Sequence, residues 1–406
     1  MTQPTKPTKQ RAFPTLWVMV LGVMIAIGPL SIDMYLPALV SMADDFDVPV
    51  ATVAQSLPFY FVGLVFGQLF YGPFSDRVGR VLPMYVGMTI FVVASAVCAT
   101  ASSEYVLFVA RTLQALGACV TAVVTRAAIR DTLTPIQSAR AFSLMVLVMG
   151  IAPILAPSLG SLLLGFANWR MIFWLLAGYG VFNILLTKLF LKETLAPQNR
   201  NTKPISATFV GYVDLLKDAT FVLPALAGGL LQGAFFIYLS ISSELFMVHF
   251  ALSEKQFAIA FGALAFGFIA MTQLNQFLTG KFRLVQLLRF GAWVQLLSGL
   301  CLLGLGFVAA DMPWVYLAIF VCIAGLGLTQ PNATAIALAF QKHRAGMASA
   351  MQGALQFSVG IFGGLLLGLF DISPVVKLGL VISVLVCVAT VLIWQLDPKL
   401  DLSKLS

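Results

Sequence analysis

The chain has 406 residues, of which 60% are hydrophobic and only 10% charged, with a formal net charge of +8. A soluble domain carries about 25% charged residues, so this composition excludes a water-soluble core and predicts an all-α membrane protein with many spans. The positive charge lies in short clusters between apolar runs, which is the positive-inside pattern and requires no nucleic-acid partner.

In chain order, residues 1–15 form a polar, basic tail. The apolar run that follows is too long for a signal peptide and has no small-residue cleavage site, so it is read as an uncleaved first span. At about 20 apolar residues per span, the chain divides into six spans over 16–191, a polar loop over 192–220, six spans over 221–396 and a short tail over 397–406. The fifth span is expected to open near Ala141. With the N-terminus cytoplasmic, nearly every Lys and Arg falls on the cytoplasmic side, and Asp44, Asp45 and Asp47 fall on the other. Arg170, Lys255 and Lys377 are the outward exceptions. Both tails and the central loop are therefore cytoplasmic. The five cysteines all lie in apolar runs, are odd in number and have no metal spacing, so free thiols are expected and no metal site.

The first run contains Gly28-Pro-Leu-Ser-Ile-Asp33-Met-Tyr35-Leu-Pro37. Asp33 is the one acid well inside an apolar run; Glu244 sits near the end of another. A carboxylate in hydrocarbon is costly and by default marks a functional site with a partner in the bundle interior. Pro29 and Pro37 lie four residues either side of it, and Pro37 has no N–H for the Asp33 carbonyl. The plainer reading is a kinked helix whose acid only bonds a neighbour.

After the second span the chain reads Gly72-Pro-Phe-Ser-Asp76-Arg77-Val-Gly79-Arg80. Gly72 is expected to let helices approach closely, Gly79 to permit a tight turn, and Asp76 to face the N-terminal dipole of the eleventh span near Gly346. The spacing resembles the cytoplasmic motif of the major facilitator superfamily, although Val81 stands where that family usually has a further basic residue. The resemblance implies a latch that closes the cytoplasmic side and parts when the carrier opens inward. In the fourth span, Leu107, Arg111, Gln114 and Gly117 resemble the superfamily's intramembrane arginine motif, with Ala115 in place of the usual Gly. Arg111 needs a partner: backbone carbonyls of the first span, Asp33, or, by snorkelling, the outer interface.

The fifth span places Gly150, Pro153, Pro157 and Gly160 on one face by steps of three and four. This resembles the Gly/Pro motif of drug exporters, and would otherwise be an ordinary small-residue packing face. Gln330-Pro331-Asn332 is expected to interrupt the tenth span as a cavity wall, and Gln352 and Gln356 follow in the eleventh. With Asp33-Met-Tyr-Leu-Pro37, these segments resemble the bicyclomycin- and chloramphenicol-resistance subfamily of drug:proton antiporters nearly end to end, including Trp169-Arg170 and Lys192-Glu193-Thr194. Ser242-Ser243-Glu244 departs from that subfamily, and Glu244 is either solvated or a second acid.

The resemblance implies twelve transmembrane helices in two pseudo-symmetric six-helix bundles and a proton-coupled exporter of small apolar drugs in the bacterial inner membrane. Asp33, Arg111, Tyr35 and Glu244 are the candidates for coupling and substrate. Gln55, Tyr60, Gln114, Tyr238, Gln330, Asn332 and Gln356 are candidates for the cavity wall. Drugs, protons and the lipid bilayer are the expected partners, and the family implies a working monomer. No Walker loop is present, so the proton gradient supplies the energy and no cofactor is expected. No nucleophile or paired acid–base constellation points to an enzyme. The alternative is a proton-coupled carrier of a sugar or amino acid, but amides at the midplane look sparse in the sequence, which favours drugs.

Overall fold

The computed structural model describes residues 14–202, 205–341, 344–368 and 372–396. Most of the N-terminal tail and the whole C-terminal tail lie outside the described residues. Among the described residues there are twelve helical spans long and apolar enough to cross a membrane, and no strand.

The first span, Thr15–Phe46, is broken into α1 (Thr15–Ile25), α2 (Ile27–Asp33), a short 3-10 turn at Leu36–Ala38 and α3 (Leu39–Phe46). The prolines explain the breaks. Pro29 cannot donate to the carbonyl four residues back, and the helix gives way at Ala26, whose N–H is shared between the Gly22 and Val23 carbonyls. Pro37 does the same beyond Asp33, so the chain turns directly after the acid. The second span joins α4 (Val50–Ala54) to α5 (Ser56–Val78), which ends where Gly79 takes φ +101°. Then follow α6 (Val81–Ala99), α7 (Glu104–Thr132), α8 (Pro135–Leu164) and α9 (Arg170–Phe190). The fifth span opens at Pro135 and not near Ala141, because Thr134 and Gln137 form a reciprocal capping box that starts the helix earlier.

The stretch expected to be a polar loop contains a helix, α10 (Ile205–Lys217). Its Tyr212 and Leu215 are buried against Phe221, Ala225, Ala337, Ala348 and Met351. The Tyr212 hydroxyl donates to the Leu69 carbonyl at 3.2 Å. The polar residues around Pro197 and Pro204 masked this short apolar face. The second half comprises α11 (Ala219–Ser243), a π-helical turn at Glu244–His249, α12 (Glu254–Leu278), α13 (Leu284–Phe307), α14 (Met312–Ala339), α15 (Ala345–Leu367) and α16 (Pro374–Trp394). The expected interruption at Gln330-Pro331-Asn332 is absent: α14 runs through Pro331. One missing N–H inside a packed bundle is tolerated without a break.

Small residues set the helix spacing. A Cβ on Gly63 of α5 would lie 2.0 Å from the Thr112 carbonyl of α7. Gly72, expected to serve the same purpose, does not. Nothing lies within 4 Å of where its Cβ would be, and it borders an open cavity.

The two halves meet unequally at the two ends of the bundle. At the end carrying Asp45 and Arg170, the Ser243 hydroxyl donates to the Leu36 carbonyl at 2.7 Å and the Gln55 amide donates to the Gly364 carbonyl at 3.4 Å. A Cβ on Gly364 would lie 2.5 Å from Pro58. At the opposite, basic end, a cavity of about 680 Å³ separates Gly72, Asp76, Arg80, Arg126 and Arg130 from Arg344, Gly346 and Ser349.

Candidate functional site

A second cavity, of about 470 Å³, lies between the halves and shares Gln68, Arg126 and Ser349 with the cavity at the basic end. Asp33 reaches it from the last turn of α2. The residue is 2% exposed, and its Oδ1 has no hydrogen-bond partner among the described residues. The proline-broken backbone places it there, because α2 ends at Asp33 and the Met34 N–H closes the last bond, to Leu30. Gly160 of α8 then fixes that turn: a Cβ on it would lie 1.9 Å from the Met34 carbonyl. Pro153 of the same helix lines the cavity itself. Gly150 faces α12, where a Cβ would meet the flexible end of Ile269 at 3.3 Å. Pro157 is buried between them along α8.

Much of the polar wall comes from four other helices. Gln68 of α5, Gln232 of α11, Gln330 and Thr334 of α14, and Gln352 and Gln356 of α15 all face the cavity. The Gln352 amide donates to Thr334 Oγ1 at 2.8 Å. Steps of four residues on α14 and α15 put these polar groups on one face of each helix. Phe235, Phe236, Phe268 and Phe357 supply an apolar side, with Phe236 and Phe357 stacked at 5.3 Å. Midplane amides are therefore not sparse. Five glutamines converge here from four helices that are far apart in the sequence.

Of the cavity candidates read from sequence, only Gln330 and Gln356 line this space. Arg111 lies elsewhere, fully buried, with its guanidinium 4.1 Å from the Tyr35 ring and 4.3 Å from the Tyr60 ring. Its Nη1 donates to Gln114 Oε1 at 2.6 Å, and Gln114 donates to Ser95 at 2.8 Å. The Tyr35 hydroxyl sits 3.1 Å from Ser56 Oγ. Arg111, Tyr35, Tyr60 and Gln114 thus form one packed cluster. Among the described residues Arg111 makes no ion pair, and its Nε and Nη2 have no hydrogen-bond acceptor, so neither Asp33 nor first-span carbonyls hold it. The ring faces stabilise the cation instead, a contact worth about 2 kcal/mol or more when desolvated.

Tyr238 packs against Phe246 and Phe261. Gln55 belongs to the closed end. Asn332 is 1% exposed and ties α14 to α12 by donating to Asn275 Oδ1 at 2.8 Å. Glu244 is neither free in solvent nor in the cavity. It faces Lys377 Nζ at 3.6 Å, and that lysine, expected on the outer side, is buried near the start of α16.

At the basic end, among the described residues, no hydrogen bond joins Asp76 to the start of α15. Asp76 Oδ1 instead accepts from Arg80 Nη1 at 2.6 Å, on the same turn as Arg77. Arg80 also donates to Ser75 at 2.8 Å and to Asp131 at 2.8 Å. The Gly79 turn has a partner that the motif does not contain. The Glu193 carboxylate accepts the N–H groups of Arg80 at 3.0 Å, Val81 at 3.4 Å and Leu195 at 2.9 Å. Partial burial works against its charge, but the N–H donors of Arg80, Leu195 and Val81 outweigh it and hold the carboxyl below the usual range. Gln68, Arg126 and Glu193 are the residues to which motif reading gave no role. Glu193 lay within the Lys-Glu-Thr segment already noted, and Gln68 is visible as an amide inside an apolar run.

Known proteins resemble this chain over most of its length. The profile described as Major Facilitator Superfamily matches residues 21–364. The uncharacterized MFS-type transporter YdgK of Bacillus subtilis is 32% identical over 361 residues, covering 87% of this chain and 89% of the relative. A bicyclomycin resistance protein homolog of Haemophilus influenzae is 25% identical over 349 residues, covering 86% and 88%. Among solved structures, a D-xylose–proton symporter superposes with a TM-score of 0.76 at 12% identity, covering 95% and 98%, a likeness of fold alone.

Proposed function

Since the chain belongs to the Major Facilitator Superfamily and is therefore a multi-pass membrane transporter and not an enzyme, we propose that it is a proton-coupled antiporter exporting small drugs by alternating access. Phenicols and bicyclomycin-like compounds are the first candidates, and the bacterial inner membrane is the site. The basic end is cytoplasmic by the positive-inside rule, so both termini are cytoplasmic and the structure is open inward. The chain works as a monomer, driven by the gradient and without a cofactor.

One observation carries this reading: a partnerless carboxylate, Asp33, lines a cavity built by both halves and continuous in its lining with the basic end. Burying a charge without a partner is costly, so the protonated and ionised forms of Asp33 favour different packings of the two halves, and a ligand shifts the balance only through such a difference. In the inward-open state Asp33 releases its proton and drug enters past Gln68 and Ser349. After the halves rock, a periplasmic proton neutralises Asp33 and drug leaves. The parted Asp76–α15 contact and the closed Ser243–Leu36 end suit the inward-open half of this cycle.

A second reading, a proton-coupled carrier of a sugar or amino acid, draws support from the five converging glutamines. Everted vesicles without ATP separate the possibilities. With an imposed pH gradient, chloramphenicol and bicyclomycin are expected to be transported by the parent and not by Asp33→Asn, which still reaches the membrane, and a protonophore is expected to abolish transport. Transport that persists without an ion gradient, or in Asp33→Asn as in the parent, refutes the antiport. Sugar or amino-acid transport with neither drug moved favours the second reading.

A further inference from the structure

The neck between the two cavities holds a charge that the proton cycle leaves unused. Arg126 lies on α7, and its side chain is exposed to the cavity space while lining both cavities. It follows Cys119 and Ala122 by seven and four residues, so the three share one face of α7 and line the same cavity. Two other cations of the basic end are neutralised, Arg80 by Asp76 and Asp131, and Arg344 by Asp218 at 3.0 Å. Arg126 has neither a hydrogen bond nor an ion pair among the described residues. Its charged neighbour is Arg130, one turn further on, which repels it. A guanidinium inside a span without an anion is an incomplete site. Asp33 Oδ1, in the same cavity, likewise has no hydrogen-bond partner among the described residues.

We propose that Arg126 determines specificity by receiving an anionic group of the exported compound, while Asp33 receives a hydrogen-bond donor or amine at the other end of the same molecule. The preferred cargo is then dipolar, an apolar body bearing both a carboxylate-like group and an amine. This deepens the export reading and rests on it. The face from Ala118 to Arg126 spans about 12 Å of α7 at 1.5 Å per residue, which is the length of a small molecule with polar ends. Coupling also requires the second end. An anion alone would favour the proton on Asp33, because its negative charge disfavours the ionised carboxylate, whereas an amine competes with the proton for the carboxylate and so exchanges with it. Guanidinium is suited to the anionic end because its fork donates two parallel hydrogen bonds to a carboxylate.

Three fluorescent probes test this with the purified full chain. Nα-dansyl-lysine carries an amine at the end of its side chain and a carboxylate at the other end, dansylcadaverine is the same molecule without the carboxylate, and Nα-dansyl-norleucine has the carboxylate without the amine. The parent is expected to bind dansyl-lysine about tenfold tighter than either single-ended probe, the scale of one charge-assisted contact. Arg126→Gln is expected to bring dansyl-lysine and dansylcadaverine to equal affinity while leaving dansylcadaverine unchanged, which also reports an intact cavity. Arg126→Lys should keep part of the preference. A parent that does not discriminate, or binds no probe, overturns the proposal. So does an Arg126→Gln variant that keeps the preference or loses both probes equally while Arg126→Lys behaves as the parent. The pH-gradient assay reads export independently, so a chain that passes it and shows no preference overturns this inference alone.

Discussion

Replacing Gly160 by Ala tests whether the exporter-like face of α8 positions Asp33. A Cβ there would lie 1.9 Å from the Met34 carbonyl oxygen and 3.0 Å from its carbon, where ordinary contact begins at 3.4 Å. Both obstacles are backbone atoms, so no rotamer change relieves the clash. Either α8 or the turn after α2 must move away, carrying Asp33 with it. Overpacking of this kind costs about 1–3 kcal/mol, and the backbone contact puts it in the upper part of that range. Alanine regains up to about 1 kcal/mol of helix propensity over glycine, which leaves a net loss of about 1–2 kcal/mol. Gly28→Ala supplies the control, since nothing lies within 4 Å of the added atom although the residue lines the same cavity. Thermal unfolding in detergent should place Gly160→Ala a few degrees below the parent and Gly28→Ala level with it or above. pH-driven export should fall only in Gly160→Ala. If Gly160→Ala unfolds level with Gly28→Ala and exports normally, Gly160 does not hold the Asp33 turn.

Two further outcomes follow from the ends of the bundle. Glu193→Gln should lower thermal stability at neutral pH by weakening the anchor of the Gly79 turn. Because the folded carboxyl is held below its ordinary value of 4.5, its contribution is full above that value and is lost as pH falls through the lower, folded one. The gap between parent and variant should therefore close on acidification, and a gap that stays constant into that range refutes the assignment. Glu244→Gln leaves Lys377 buried without its anion. The cost should be about 1–3 kcal/mol, below the range for a fully buried pair because Glu244 keeps some solvent. Adding Lys377→Met should recover part of the lost unfolding temperature, and a double variant no more stable than Glu244→Gln would show that the pair is not coupled.

Much of this architecture could be read along the chain because its causes are local. Apolar runs of fixed length mark spans, the Lys and Arg clusters mark one side, and prolines around Asp33 mark the break that sets the acid at the end of α2. The Gly79 turn and the small-residue contacts of α8 are of the same kind. The short capping box at Thr134 is equally local, but it lies ahead of the apolar run on which the span boundary was placed.

The composition of the cavity was not local. Gln68, Arg126, Gln232, Gln330, Gln352 and Gln356 come from five helices, and a helix that is apolar nearly all round does not announce which face will turn inward. Its rotation is set by the neighbours it packs against, through contacts such as Gly63 on the Thr112 carbonyl and Gly160 on the Met34 carbonyl. The same rotation sent Arg111 into a cradle of Tyr35 and Tyr60 and left Arg126, four turns along the same helix, facing the cavity. Sequence determined that this is a twelve-span carrier with one deeply buried acid, because hydrophobicity and spacing act within each segment. Only tertiary packing decided which polar groups meet that acid, because that depends on how every helix is turned against the others.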